Sequence, residues 1–143
     1  MTHQAGEKHI DALRIAYERA GVTAECLAFI DNMATSYAQA DVVICRAGAT
    51  TVGEIAAVGI GSVLVPFPYA ADDHQVDNAR VLAERGAAEL IPQRDLTPER
   101  LATWLRAASR EALLKMAMAA RTLRKADAAQ RVADTCIAVA QMR

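Results

Sequence analysis

Aromatic residues are scarce in this chain, at 4% of 143 residues, although 53% are apolar. Its core must therefore be filled by Ala and aliphatic side chains, which favours many helices packed closely on a sheet. An excess of charge of one sign is also lacking. With a net charge of −1 and a pI of about 6.3 there is no basic footprint, so a nucleic-acid partner is not expected. Cysteine is sparse: Cys26, Cys45 and Cys136 are odd in number, widely spaced and form no C-x-x-C. That excludes a disulfide framework and reads as reduced thiols of a cytosolic protein, with Cys26 and Cys45 as small residues in or beside strands. No apolar run approaches the roughly 20 residues that span a bilayer, and no signal-peptide pattern opens the sequence. Repeats and low-complexity linkers are absent too. The length fits one domain at most, with a real core.

The most informative stretch runs from Asp41 to Asn78. Val42, Val43, Ile44 and Cys45 form an apolar run that feeds into Arg46-Ala47-Gly48-Ala49-Thr50-Thr51, after which a helical pattern begins. This predicts a strand, a tight glycine turn and a helix N-terminus. Unpaired N–H groups and the positive end of the helix dipole suit a phosphate there. A second strand begins at Ser62, a proline-rich loop follows, and Asp72-Asp73-His74-Gln75 opens another helix. Loops at the carboxyl ends of neighbouring parallel strands are where open α/β sheets bind ligands, so a nucleotide carrying a polar group is expected.

Along the whole chain, helices are predicted over 7–20, 32–40, 50–58, 73–84, 109–124 and 127–141, with Gly21, Gly59, Gly61 and Gly86 as stops. Strands are predicted over 23–29, 41–45, 62–66 and 87–91. Thr97-Pro98-Glu99 opens a further helix, with Thr as cap and Pro in the first turn. Strands alternating with helices indicate a parallel sheet. Three helices in a row at the end suggest that the last ones pack on something besides the sheet.

His3-Gln4-Ala5-Gly6, Phe29-Ile30-Asp31-Asn32-Met33, the segment from Cys45 to Glu54, Val65-Pro66-Phe67-Pro68 and the segment from Asp72 to Ala79 occur in order over nearly the whole chain. In these motifs it resembles the C-terminal, donor-binding domain of the MurG family of N-acetylglucosaminyltransferases. The resemblance implies an α/β, Rossmann-like parallel sheet with flanking helices, the C-terminal half of a GT-B glycosyltransferase. Residues 1–143 would form a single, partial UDP-GlcNAc-binding domain, truncated at the N-terminus and without the acceptor domain. It implies an inverting transfer of GlcNAc from UDP-GlcNAc to the undecaprenyl-linked muramoyl-pentapeptide, lipid I, in peptidoglycan synthesis. Ile30 would read the uracil edge with its backbone, between Phe29 and Met33. Gly48, Ala49, Thr50 and Thr51 would face the sugar and diphosphate, and Glu54 the ribose diol. His74 and Gln75 would reach the GlcNAc hydroxyls, with Asn78 behind them.

Catalytic residues are not expected in this chain, because the family's general-base candidate, its lipid I site and its membrane-facing patch lie on the N-terminal domain. The full-length enzyme would sit peripherally on the cytoplasmic face of the bacterial inner membrane. The sequence holds no Asp-x-Asp, so neither metal nor cofactor is expected. Preorganised N–H donors at the helix start would stabilise the departing UDP instead. A carboxylate aimed at that diphosphate would repel it, so Glu54 must face aside. The chain would begin at the end of the domain's second strand. In the strand order 3-2-1-4-5-6 the first strand and most of the second would thus be missing, separating strand 23–29 from strand 41–45 and exposing an edge prone to self-pairing. Helix 127–141 would cross to the missing half.

Local readings stay open beside these. Thr51-Val52-Gly53-Glu54 is also a capping box, and Asp72-Asp73-His74-Gln75 an ordinary helix start. Arg46 is either a ligand to the donor or a surface charge at a strand end. His3 and His9 have no partner pattern. Residues 111–125 combine an apolar face with several cations, suited to another domain or to a membrane surface. A non-catalytic UDP-sugar-binding subunit that recruits a membrane-bound acceptor partner is the alternative function. A sister two-domain transferase acting on another lipid acceptor is a third.

Overall fold

Val, Ile and Leu gather in short runs separated by glycine-terminated helical stretches, and this alternation is what the chain builds. The computed structural model describes residues 1–69 and 73–141. Two compact units result, Met1–Gln39 and Ala40–Arg143.

In the first unit, β1 (Thr2–Gln4) and β2 (Glu25–Leu27) pair in parallel around α1 (Ile10–Arg19), and α2 (Met33–Gln39) follows. Gly21, at φ 64°, lets the chain leave α1 in the left-handed region. Asn32 accepts from the Thr35 N–H at 3.0 Å and opens α2.

In the second unit, β3 (Val42–Cys45), β4 (Gly61–Leu64) and β5 (Ala88–Leu90) form a parallel ladder in that order. Cys45 is in register with Leu64, and Leu64 with Leu90, so the carboxyl ends lie level. β4 is buried along its whole length. Its alternation splits the core, since Leu64 joins a cluster with Ile55, Ala79, Leu82 and Ala120. Val63 joins another with Val65 and Ile91, against which Leu96 and Trp104 pack. The helices are α3 (Ala49–Val58), α4 (His74–Ala83), α5 (Pro98–Ala107), α6 (Arg110–Thr122) and α7 (Ala128–Gln141). Thr97 caps α5 as its sequence predicts, accepting from the Arg100 N–H at 3.2 Å.

One expectation is corrected. α6 does not turn away from the sheet; it packs on β4 and α3. The reason is Gly59 and Gly61. A Cβ on Gly61 would lie 3.1 Å from Met116 Cβ, and one on Gly59 3.1 Å from Arg121 Cβ, so a larger residue at either position would make α6 give by a few tenths of an ångström. Arg121 also donates to the Ala57 and Val58 carbonyls at the end of α3. A strand, β1, opens the chain as expected, and a 3-10 turn at Gln93–Asp95 is added that does not stand among the predicted elements. β2 and β3 belong to different ladders. Among the described residues no helix is long and apolar enough to cross a membrane.

Candidate functional site

The start of α3 organises the second unit's polar residues. Gly48 is its N-cap, with φ −63° and ψ 148° and no side-chain cap. The Val52 N–H closes the first helical bond onto Gly48 O at 3.0 Å, so the N–H groups of Ala49, Thr50 and Thr51 have no partner within the helix. Turn geometry does not require a glycine at Gly48, because its backbone is one that any residue adopts. A Cβ there would meet only Thr51 Oγ1, at 3.8 Å. This corrects the tight glycine turn. The capping box fails as well: with Gly48 as cap, Thr51 is already the third helical residue and Glu54 lies in the next turn.

Ala47, just before that helix, is fully buried and held at both ends of its polar backbone. Its N–H donates to Gln75 Oε1 at 3.3 Å, and its carbonyl accepts from Asn78 Nδ2 at 3.1 Å. Gln75 and Asn78 stand three apart on α4 and so share a face. Gln75 Oε1 also accepts from the Phe67 N–H at 3.0 Å, which ties the loop after β4 to the loop after β3. Both partners are donors, so the amide can be oriented only with its oxygen towards them. Arg46 adds a second tie. Its Nη1 donates to the carbonyls of Val65 at 3.2 Å and Pro66 at 3.3 Å, while its guanidinium carbon lies 5.6 Å from the Phe67 ring centroid. Arg46 is thus a buckle between strand ends, a role that neither sequence reading names.

Glu54 is half-buried on α3. Burial, and after it the Glu54 carboxylate, push the Cys45 thiol up to about 11 from its ordinary 9.0. Cys45 is therefore a protonated, unreactive thiol beneath the site. His74 is the first residue of α4, exposed, and preceded by Asp73 in the left-handed region at φ 51°. Asp72, part of the predicted helix start, lies outside the described residues.

In the first unit the parallel pairing runs past the strands, with the Ala5 N–H on Leu27 O at 3.0 Å and the Gly6 N–H on Ala28 O at 3.1 Å. This brings Gln4 to the following loop, where its Oε1 accepts from the Ile30 N–H at 3.0 Å. Phe29 is 67% exposed and Met33 half-buried at the start of α2, so the Phe29 ring is open to a ligand.

A family model described as the glycosyltransferase family 28 C-terminal domain matches residues 1–132. The chain belongs to this family. Its similarity to named members is close. It is 57% identical over 98% of its length to the UDP-N-acetylglucosamine--N-acetylmuramyl-(pentapeptide) pyrophosphoryl-undecaprenol N-acetylglucosamine transferase of Burkholderia thailandensis, of which it covers 39%. It is 58% identical over 95% of its length to the transferase of the same name from Aromatoleum aromaticum, of which it covers 38%. The crystal structure of Acinetobacter baumannii MurG matches 94% of the chain with a TM-score of 0.88 at 42% identity, over 41% of that protein. The chain thus spans about two-fifths of the length of these relatives.

Within this family 28 domain, the second unit brings together Arg46, Gly48, Ala49, Thr50, Thr51, Gln75 and Asn78 around the start of α3. Glu54 lies one turn further along α3, and His74 opens α4. Phe29, Ile30 and Met33 form a separate group in the first unit. Sequence reasoning gives no role to Gln4, although it lies in a quoted motif. No local signal marks it, because its partner is 26 residues away. What the second unit offers chemically is a row of N–H donors at a helix start, held by neutral amides. That arrangement suits an anion.

Proposed function

We propose that this chain is the donor-binding part of an inverting glycosyltransferase that moves GlcNAc from UDP-GlcNAc to lipid I, forming lipid II. The observation that carries the reading is the open start of α3, with Ala47 gripped behind it by Gln75 and Asn78. A diphosphate would take the N–H groups of Ala49, Thr50 and Thr51, with Gly48 leaving the approach clear. Glu54, placed beside Cys45, would take the ribose hydroxyls. His74 and the amide nitrogen of Gln75 would take sugar hydroxyls, with Asn78 holding Ala47 behind them. Phe29, Ile30 and Met33 would form the uracil pocket.

The attacking group is the muramoyl 4-hydroxyl, and UDP leaves as the anomeric carbon inverts. The general base and the lipid I site come from outside this chain, so the chain by itself binds donor without turning it over. The complete enzyme works at the cytoplasmic face of the inner membrane. The activity for which the relatives are named supports this reading.

Calorimetric titration with UDP-GlcNAc, UDP-glucose and UDP tests it. Binding that prefers UDP-GlcNAc is the expected result. A folded chain, verified by circular dichroism, that is indifferent to all three ligands overturns the assignment of these residues.

A further inference from the structure

The segment leaving β4 carries two aromatic rings that the core does not take. Phe67 is 43% exposed and Tyr69 85%. Their centroids are 5.7 Å apart with planes at 75°, an edge-to-face contact. Phe67 is fixed by its N–H on Gln75 Oε1 and by the Arg46 guanidinium beside its ring. Arg46 is itself pinned to the Val65 and Pro66 carbonyls. Tyr69 thus leans on a braced neighbour while most of its own surface remains in water.

This braced pair lies where strand ends face ligands in open α/β sheets. It is also close to the start of α3, because the Ala47 N–H shares the Gln75 oxygen that holds Phe67. An aromatic face beside polar donors complements a ring that is apolar on one face and polar at its edge, which describes a pyranose. A nucleobase would stack as well, but the residues assigned to the base belong to the first unit. Gln75, which anchors Phe67, is among those assigned to the sugar.

We infer that Tyr69, braced by Phe67 and Arg46, is a stacking surface for the hexose ring of the nucleotide sugar and raises affinity for it above that for the bare nucleotide. The inference rests on the donor-site reading above. The test is calorimetric titration of the chain and its Tyr69→Ala and Tyr69→Phe variants with UDP and with UDP-GlcNAc. Tyr69→Ala is expected to weaken UDP-GlcNAc binding roughly three- to tenfold, leaving UDP binding unchanged, and Tyr69→Phe to match the parent. Unchanged UDP-GlcNAc binding in Tyr69→Ala, or an equal loss for both ligands, overturns the stacking role while the donor reading stands. A parent chain that binds neither ligand overturns both. Saturation-transfer NMR on the unmutated chain gives a readout independent of any folding defect. Transfer from the Tyr69 ring protons to the GlcNAc ring protons supports the contact, and its absence in a binding chain overturns it.

Discussion

Replacing Gln75 by Ala removes one oxygen that two backbone N–H groups share. Ala47 is fully buried, so its N–H has no water to turn to once Gln75 Oε1 is gone from 3.3 Å. Leaving such a donor unsatisfied costs about 1–3 kcal/mol. Phe67 is 43% exposed, so water replaces its 3.0 Å bond and the further loss is less than about 1 kcal/mol. The expected destabilisation is therefore about 2 kcal/mol, a drop of roughly 5–10 °C in Tm, read by urea and thermal melts followed by circular dichroism. Gln75→Glu separates structure from ligand. Its carboxylate oxygens still accept from both N–H groups, so stability stays within about 0.5 kcal/mol of the parent. It loses the amide N–H₂, so UDP-GlcNAc affinity falls while UDP affinity falls less. A Gln75→Ala chain as stable as the parent refutes the clasp, and a Gln75→Glu chain as unstable as Gln75→Ala refutes the role of the oxygen. Asn78 holds the other end of the same residue, so Gln75→Ala and Asn78→Ala should be non-additive by at least about 0.5 kcal/mol.

Ser62 Oγ is buried in the central strand with no hydrogen-bond partner among the described residues. Ser62→Ala is expected to raise stability by about 1 kcal/mol in the same melts, and a destabilised variant would show that the hydroxyl is satisfied in solution. Cys45 has its folded-state pKa raised to about 11 by burial and then by Glu54. The unfolded chain loses this proton near 9 and the folded chain holds it longer, so the Cys45 contribution is complete below pH 9 and disappears as pH rises to about 11. Subtracting the melts of Cys45→Ala from those of the parent isolates this slope. With iodoacetamide at pH 8, the exposed Cys136 should label first and Cys45 last, and equal labelling rates would contradict the burial of Cys45.

Much of the fold is legible because its signals act over a few residues. Gly21, Gly59 and Gly86 all adopt positive φ at helix ends, and Thr97 caps α5 from one residue away. The apolar runs over 41–45 and 62–66 become β3 and β4, and the helix predicted over 50–58 becomes α3 with one residue added at its start. β1 is legible only through the resemblance, because its three exposed residues carry no burial pattern. The site is legible as positions but not as contacts. Arg46 looks like a ligand or a surface charge from its neighbours, yet its partners are Val65 and Pro66, 19 and 20 residues away.

The sequence by itself determines the alternation of strands and helices, the helix that starts after Gly48, and family 28 membership through motifs in order. These follow from backbone propensities and from side chains close along the chain. Only the tertiary structure decides that Gln75 and Asn78 grip Ala47 from 28 and 31 residues away. The same holds for the packing of α6 onto Gly59 and Gly61, and for the carboxylate of Glu54 acting on Cys45. Each of these depends on buried polar groups finding partners, or on backbones approaching closely. Such contacts are chosen when the ladder brings strand ends level, not by any residue's neighbours in sequence.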